Sequence, residues 1–135
     1  MTLLDHYRTL VDCTFVSRTV APPGVVDPDY VSHDAFTHRE PLATGLVKFH
    51  QRILSEVRDL QYDIVDSLEV GSKLAVRYLV TGHALDGTPF FCPGLSINHG
   101  GPAGLKEGWV INDYRGLNMH TETNPDEIEP VSSAY

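Results

Sequence analysis

After Leu60 the hydrophobic period of the chain changes from helical to strand-like, and that change limits what it can fold into. Before it, Thr44 to Leu60 sets Leu46, Phe49, Ile53, Leu54, Val57 and Leu60 at helical spacing. Lys48, Gln51, Arg52, Glu56 and Arg58 take the opposite face. The spacing predicts an amphipathic helix over 44–60, laid on an apolar partner. Beyond it, "QYDIVDSLEV", "KLAVRYLVTGHAL", "TPFFCPGLSINH" and "LKEGWVINDYRGL" read as four strands. Gly71-Ser72 punctuates the first pair. Asp86-Gly87 predicts a two-residue hairpin, a turn that needs positive φ at both positions. "GGPAG" at 100–104 reads as a floppy connection rather than a tight one.

Upstream, residues 2–17 are predicted to form a first helix, because Leu3, Tyr7, Leu10 and Val11 recur at helical spacing. Thr2 suits the N-cap, with Asp5 three residues later completing a capping box. Prolines and a glycine interrupt "VAPPGVVDPDYVSHDAF", which reads as a loop with one short element over Tyr30 to Ser32. Helices followed by a meander of strands imply an α+β fold. The expected architecture is an α+β barrel, a cone-shaped curved antiparallel sheet with the N-terminal helices on its concave side. The mouth of such a cone can hold a ligand. One domain over 1–120 and an acidic tail over 121–135 complete the expected organisation.

At 135 residues the chain is one domain in size. A net charge of -8 argues against nucleic acid and acidic membranes as partners, since both require clustered basic groups. There is no apolar run long enough for a membrane span. The start "MTLLDHYRTL" lacks the basic and apolar regions of a signal peptide, so a cytoplasmic protein is expected. Cys13 and Cys92 are isolated and read as free thiols. The seven histidines show no metal-ligand spacing, and no metal is implied. Nucleophile elbows, phosphate loops and dinucleotide fingerprints are also missing.

As a strand, "KEGWVINDYRGL" sets Glu107, Trp109, Ile111 and Asp113 on one face, and Lys106, Gly108, Val110 and Asn112 on the other. If the first face is internal, Asp113 enters an apolar site, where a carboxylate becomes a better proton carrier near neutral pH. Alternatively, Asp113 starts a turn at "DYRG" and bonds its own backbone. Glu107 reads more simply as the ion-pair partner of Arg77 or another base. Trp109 is either core or pocket wall. His33, in "YVSHDAF", can share a proton with a carboxylate or orient one, or lie exposed, as is expected of His38. Arg77, Leu79, Thr81 and His83 share one face of their strand, and Val76, Tyr78 and Val80 the other, with the inward face open. His83 can reach a pocket mouth, and His99 can donate to a ligand oxygen.

Together these stretches resemble the SnoaL-like polyketide cyclases of the nuclear transport factor 2-like superfamily. The resemblance runs from Tyr30 to Leu117. It rests on E-x-W-x-x-x-D-x-x-G-L, matched by Glu107, Trp109, Asp113, Gly116 and Leu117, on the Tyr30 and His33 pair, and on Arg77 and His83 in "VRYLVTGH". It implies a pocket inside the cone, with Asp113 as general acid/base of an intramolecular aldol closure and His33 as a pocket histidine. It further implies no metal or cofactor, and dimers or larger homo-oligomers formed through the outer face of the sheet. Three features depart from the family pattern. "TVAPPGVV" replaces part of a second helix, "TGHAL" stands where "GTH" is usual, and Gly108 occupies a position where a polar side chain is common.

The function expected is that of a cofactor-free cyclase or isomerase of polyketide-like natural-product biosynthesis, acting on an apolar, oxygenated small molecule. Asp113 and His33 would be catalytic, and Trp109, Glu107, His83, His99, Arg77 and Tyr30 would bind substrate. A hydratase, dehydratase or epoxide hydrolase on the same fold is the alternative, as is a non-catalytic small-molecule-binding module.

Overall fold

The computed structural model of the protein describes residues 1–34, 39–41 and 53–113. Residues 44–52 of the predicted amphipathic helix, His38, Gly116, Leu117 and the acidic tail lie outside the described residues. The chain opens on helix α1 (Leu3–Val11). Its capping box forms as expected: Thr2 Oγ1 accepts from the Asp5 amide at 3.1 Å, and the Asp5 carboxylate accepts from the Thr2 amide at 3.0 Å. A carboxylate from the sheet adds to the cap. Glu69 accepts from the amides of Leu3 and Leu4 at 3.3 and 3.0 Å, tying the positive end of the helix to a strand. Over Asp12–Ser17 the helix widens to π-helical pitch, then stops at Arg18, whose left-handed φ of 53° turns its amide back onto the Cys13 carbonyl.

The strands are β1 (Val26–Asp34), β2 (Arg39–Pro41), β3 (Val57–Val70), β4 (Lys73–Ala84), β5 (Pro89–Gly101) and β6 (Gly104–Asn112). They form one open sheet in the order β2-β1-β6-β5-β4-β3. The α+β class is as expected, but the sheet is mixed rather than wholly antiparallel, because β1 lies parallel to β6. The whole meander separates those two strands in sequence, which gives the long crossover that a parallel pair needs.

Several local expectations are corrected. The short element at Tyr30 to Ser32 is a full strand, β1. Pro28 is tolerated inside it because the register with β6 slips between Val26 and Val31, where no ladder amide is required of it. The helical stretch that reaches position 56 does not continue to Leu60, since Val57–Leu60 begins β3. Ile53 and Val57 are both buried, so the apolar spacing reported burial correctly and its geometry wrongly. A bulge between Arg58 and Gln61, with φ 53° at Asp59, lets the chain change direction there.

The hairpins differ in the same way. At Asp86-Gly87 only Gly87 has positive φ, at 89°. The loop is longer than two residues: the Gly87 amide donates to the Ala84 carbonyl at 2.9 Å and Ala84 to Thr88 at 2.8 Å. By contrast "GGPAG" is tight, with Gly101 directly opposite Gly104 and only Pro102 and Ala103 between them.

Alternation decides which face is internal. Leu74, Val76, Tyr78 and Val80 of β4, Phe90 and Cys92 of β5, and Leu105 of β6 are buried against Tyr7, Val11 and Phe15 of the helical segment. Each fully buried aliphatic side chain contributes about 1.5–3 kcal/mol. The opposite face carries Phe91, Leu95, Ile97 and Ile111, all exposed. Among the described residues, no helix is long and apolar enough to cross a membrane.

The capping box is sensitive to acid. The Asp5 carboxyl is held below its ordinary value, chiefly by the Thr2 backbone amide and then by the Thr2 side chain. Its contribution is therefore complete above the ordinary carboxylate range and is lost as pH falls through the lowered folded value. Urea denaturation between neutral and acidic pH should show this loss in the wild type and a smaller one in Asp5→Asn.

Candidate functional site

The predicted site residues divide between the two faces of the sheet. On the outer face, His33 Nε2 meets Glu107 Oε1 at 2.6 Å, with the two side chains 19% and 36% exposed. The His33 ring stacks on Trp109 at a centroid distance of 5.0 Å and 9° between planes. His99 leans on the same indole at 4.7 Å and 57°. Strand register produces this cluster, since Trp109 pairs with His33 on one side and Ile97 on the other, while His99 faces Glu107. Of the residues singled out in the sequence, His33, Glu107, Trp109 and His99 are thus brought together. Glu107 pairs with His33 rather than Arg77, whose guanidinium instead reaches Asp66 at 3.9 Å in an exposed pair. His83 sits at the far end of β4, 3.7 Å from Asp59.

Asp113 stands apart from this cluster. It lies four residues beyond Trp109, roughly 13 Å along the strand direction. Its amide donates to the Pro93 carbonyl at 2.9 Å, just past the end of β6. Its charge is felt on the inner face, at Cys92: burial first, and the Asp113 charge second, push that thiol up to about 12.

The inner face carries a polar constellation that alternation alone did not single out. Asn98 Nδ2 donates to Ser96 Oγ at 3.1 Å, and Ser96 in turn donates to Tyr7 Oη at 3.4 Å. Tyr7 Oη also shares a hydrogen bond with Tyr62 Oη, 2.5 Å away. Tyr30 donates to Asn98 Oδ1 at 3.3 Å. Burial raises the phenols of Tyr7, Tyr30 and Tyr62 above their ordinary value, so they remain protonated donors. Tyr62 is itself stacked between Phe15 and Tyr78, at 5.3 and 4.8 Å. It also lines a groove of about 310 Å³ beside α1, together with Arg8, Val11, Asp12, Asp63 and Ile64.

A second phenol–amide pair closes the other end of this face, where Tyr78 donates to Asn112 Oδ1. Both pairs depend on a glycine beneath the phenol. Tyr78, Gly94 and Asn112 share one register row, and a Cβ on Gly94 would lie 2.3 Å from the Tyr78 ring. Gly108, paired with Asn98, leaves room for Tyr30 in the same way. The clue in the sequence was the polar series Ser96, Asn98 and Asn112 at alternate positions of apolar strands, each in phase with the buried set. Among the described residues, no three His, Cys, Asp or Glu side chains gather as a metal site would require.

Neither a family model nor a curated protein sequence matches the chain. Solved structures do. IdmH, a candidate polyketide cyclase from Streptomyces antibioticus, superposes with a TM-score of 0.67 at 18% identity, covering 84% of this chain and 93% of its own. A candidate SnoaL-like polyketide cyclase from a Jannaschia species gives 0.65 at 12% identity, over 82% and 85% of the two chains. The chain has the SnoaL-like fold. AclR from Streptomyces galilaeus, named as a candidate hydroxylase, superposes with a TM-score of 0.69 at 16% identity, covering 92% of this chain and 87% of its own. One fold thus carries more than one assigned chemistry, and the reaction has to be argued from side chains.

Two outcomes test the inner face. A Cβ at Gly108 would lie 2.2 Å from Tyr30 Oη and 2.8 Å from Asn98 Oδ1. Gly108→Ala should therefore displace the phenol and cost about 1–3 kcal/mol, read as a lower urea midpoint. With a thiol reagent at pH 8, the half-buried Cys13 should react in the native protein, and Cys92 only after unfolding.

Proposed function

We propose that the protein is a cofactor-independent acid/base enzyme of the cyclase or isomerase kind, acting on a largely apolar small molecule that carries carbonyl oxygens. Asp113 is the proton carrier. The observation behind this reading is its position: a carboxylate just past the end of β6, tied by its amide to Pro93 and directly following Asn112 of the face lined by phenols and amides. The SnoaL-like fold supports the same reading, since solved relatives on it are named for polyketide cyclisation.

In the proposed reaction Asp113 takes a proton from a carbon beside a carbonyl. The resulting enolate carbon attacks a second carbonyl of the same molecule, and the new alkoxide recovers the proton from Asp113. One C–C bond forms and the overall mass is unchanged. His33 serves by holding Glu107 and the β1–β6 seam in place, and Trp109 as the platform under His33.

Replacing Asp113 with Asn keeps the shape and removes the base, which should lower turnover about 10²–10⁴-fold. Metabolite profiling of the native producer carrying Asp113→Asn should reveal an accumulating precursor of the same mass as the product. A precursor one water lighter or heavier would favour the hydratase or dehydratase alternative. A wild-type profile with folded protein would exclude Asp113 as the proton carrier.

A further inference from the structure

The two phenol–amide pairs of the inner face serve as a comparison for each other. In each, a tyrosine passes over a glycine and donates to an asparagine carbonyl oxygen: Tyr30 over Gly108 to Asn98, and Tyr78 over Gly94 to Asn112. At Asn98 the remaining amide nitrogen is used, donating to Ser96 Oγ at 3.1 Å. At Asn112 it is not. Asn112 is 8% exposed, and its Nδ2 is buried with no hydrogen-bond partner among the described residues.

The orientation of that amide is set by its neighbours. Tyr78 donates to Oδ1, and the Cys92 thiol lies 4.0 Å from the same oxygen, so the carbonyl end is held and the two N–H bonds face away from it. A buried donor left unsatisfied is destabilising. Native proteins keep few such groups, and those they keep call for an explanation, such as a catalytic role. Asp113 follows directly in sequence, at the point where β6 ends.

We infer that Asn112 Nδ2 is the donor for the carbonyl oxygen of the substrate, and holds that oxygen as it becomes an enolate. The inference rests on the acid/base reading of Asp113 and deepens it. As Asp113 takes the α-proton, the C–H electron pair moves to the carbonyl oxygen, and the N–H of Asn112 meets the charge that develops there. Tyr78 is the positioning residue, because its bond to Oδ1 aims the amide. The substrate this suits is a ketone or β-dicarbonyl compound, because Asp113 needs an acidic C–H beside the carbonyl that Asn112 holds.

The test uses 2-naphthol, whose aromatic hydroxyl mimics an enol, and naphthalene, which lacks the oxygen. In the ¹⁵N-labelled wild-type chain, the side-chain NH₂ signals of Asn112 should move downfield on addition of 2-naphthol and stay in place with naphthalene. Asn112→Leu should bind 2-naphthol about 10-fold or more weakly while keeping its affinity for naphthalene. The proposal is overturned if 2-naphthol does not bind, if it binds without moving the Asn112 signals, or if the leucine variant binds it equally well. Should Asn112→Leu fail to fold, the wild-type titration decides alone. Turnover of Asp113→Asn reads the proton carrier and the Asn112 signals of the wild type read the amide, so a failure of the turnover experiment bears on Asp113 and a failure here bears on Asn112.

Discussion

Polar groups taken into the inner face of this sheet need a partner, in the protein or in a bound molecule, because an unpaired buried donor or acceptor is costly. The layout of β4, β5 and β6 follows from that requirement. Tyr30 and Tyr78 are large apolar bodies with one polar atom each, and both hydroxyls reach an asparagine on another strand. Neither could do so if Gly108 or Gly94 carried a side chain. The glycine, the phenol and the amide are therefore one arrangement, held in step by strand register. The Tyr62–Tyr7–Ser96–Asn98 series extends it to α1, so that helix and sheet are joined by directed bonds as well as by packing.

The outer face follows a different logic. Leu68, Ala75, Ile97, Trp109 and His33 lie in a single row across five strands. Along that row the middle is exposed and aliphatic, and the end is aromatic and capped by the Glu107 carboxylate. The His33–Glu107 contact adds a side-chain bond to the parallel seam between β1 and β6, a pairing that no hairpin enforces.

Much of the fold was legible in the sequence because its signals were local. The capping box at Thr2 and Asp5 is a four-residue pattern, and the strands of the meander announce themselves by alternation. What could not be read was non-local. Val57 suits a helix face and a buried strand position equally, and only its pairing with Ala84 decides between them. The phase of "KEGWVINDYRGL" has the same origin. Its alternation separates Trp109 from Asn112 correctly, but which set faces inward depends on the helix packed above. The candidate site was accordingly half visible. His33, Glu107, Trp109 and His99 do meet, whereas Asn112 and Tyr78 drew no notice, since an asparagine in a strand looks unremarkable until its partners are known.

The parallel seam also bears on how the molecule is made. β1 leaves the ribosome early, yet its neighbour β6 is the last strand of the meander. Until β6 emerges, β1 has no template apart from the short β2, and its apolar residues wait without a sheet to join. Contacts of such long sequence separation slow folding, because the loop entropy must be met before the pairing can repay it. The meander of β3 to β6 can assemble from hairpins alone, so the N-terminal segment should dock late, onto a surface already formed. A nascent chain arrested before Gly104 would expose both β1 and the β5 edge meant for β6, and is the species most in need of a chaperone.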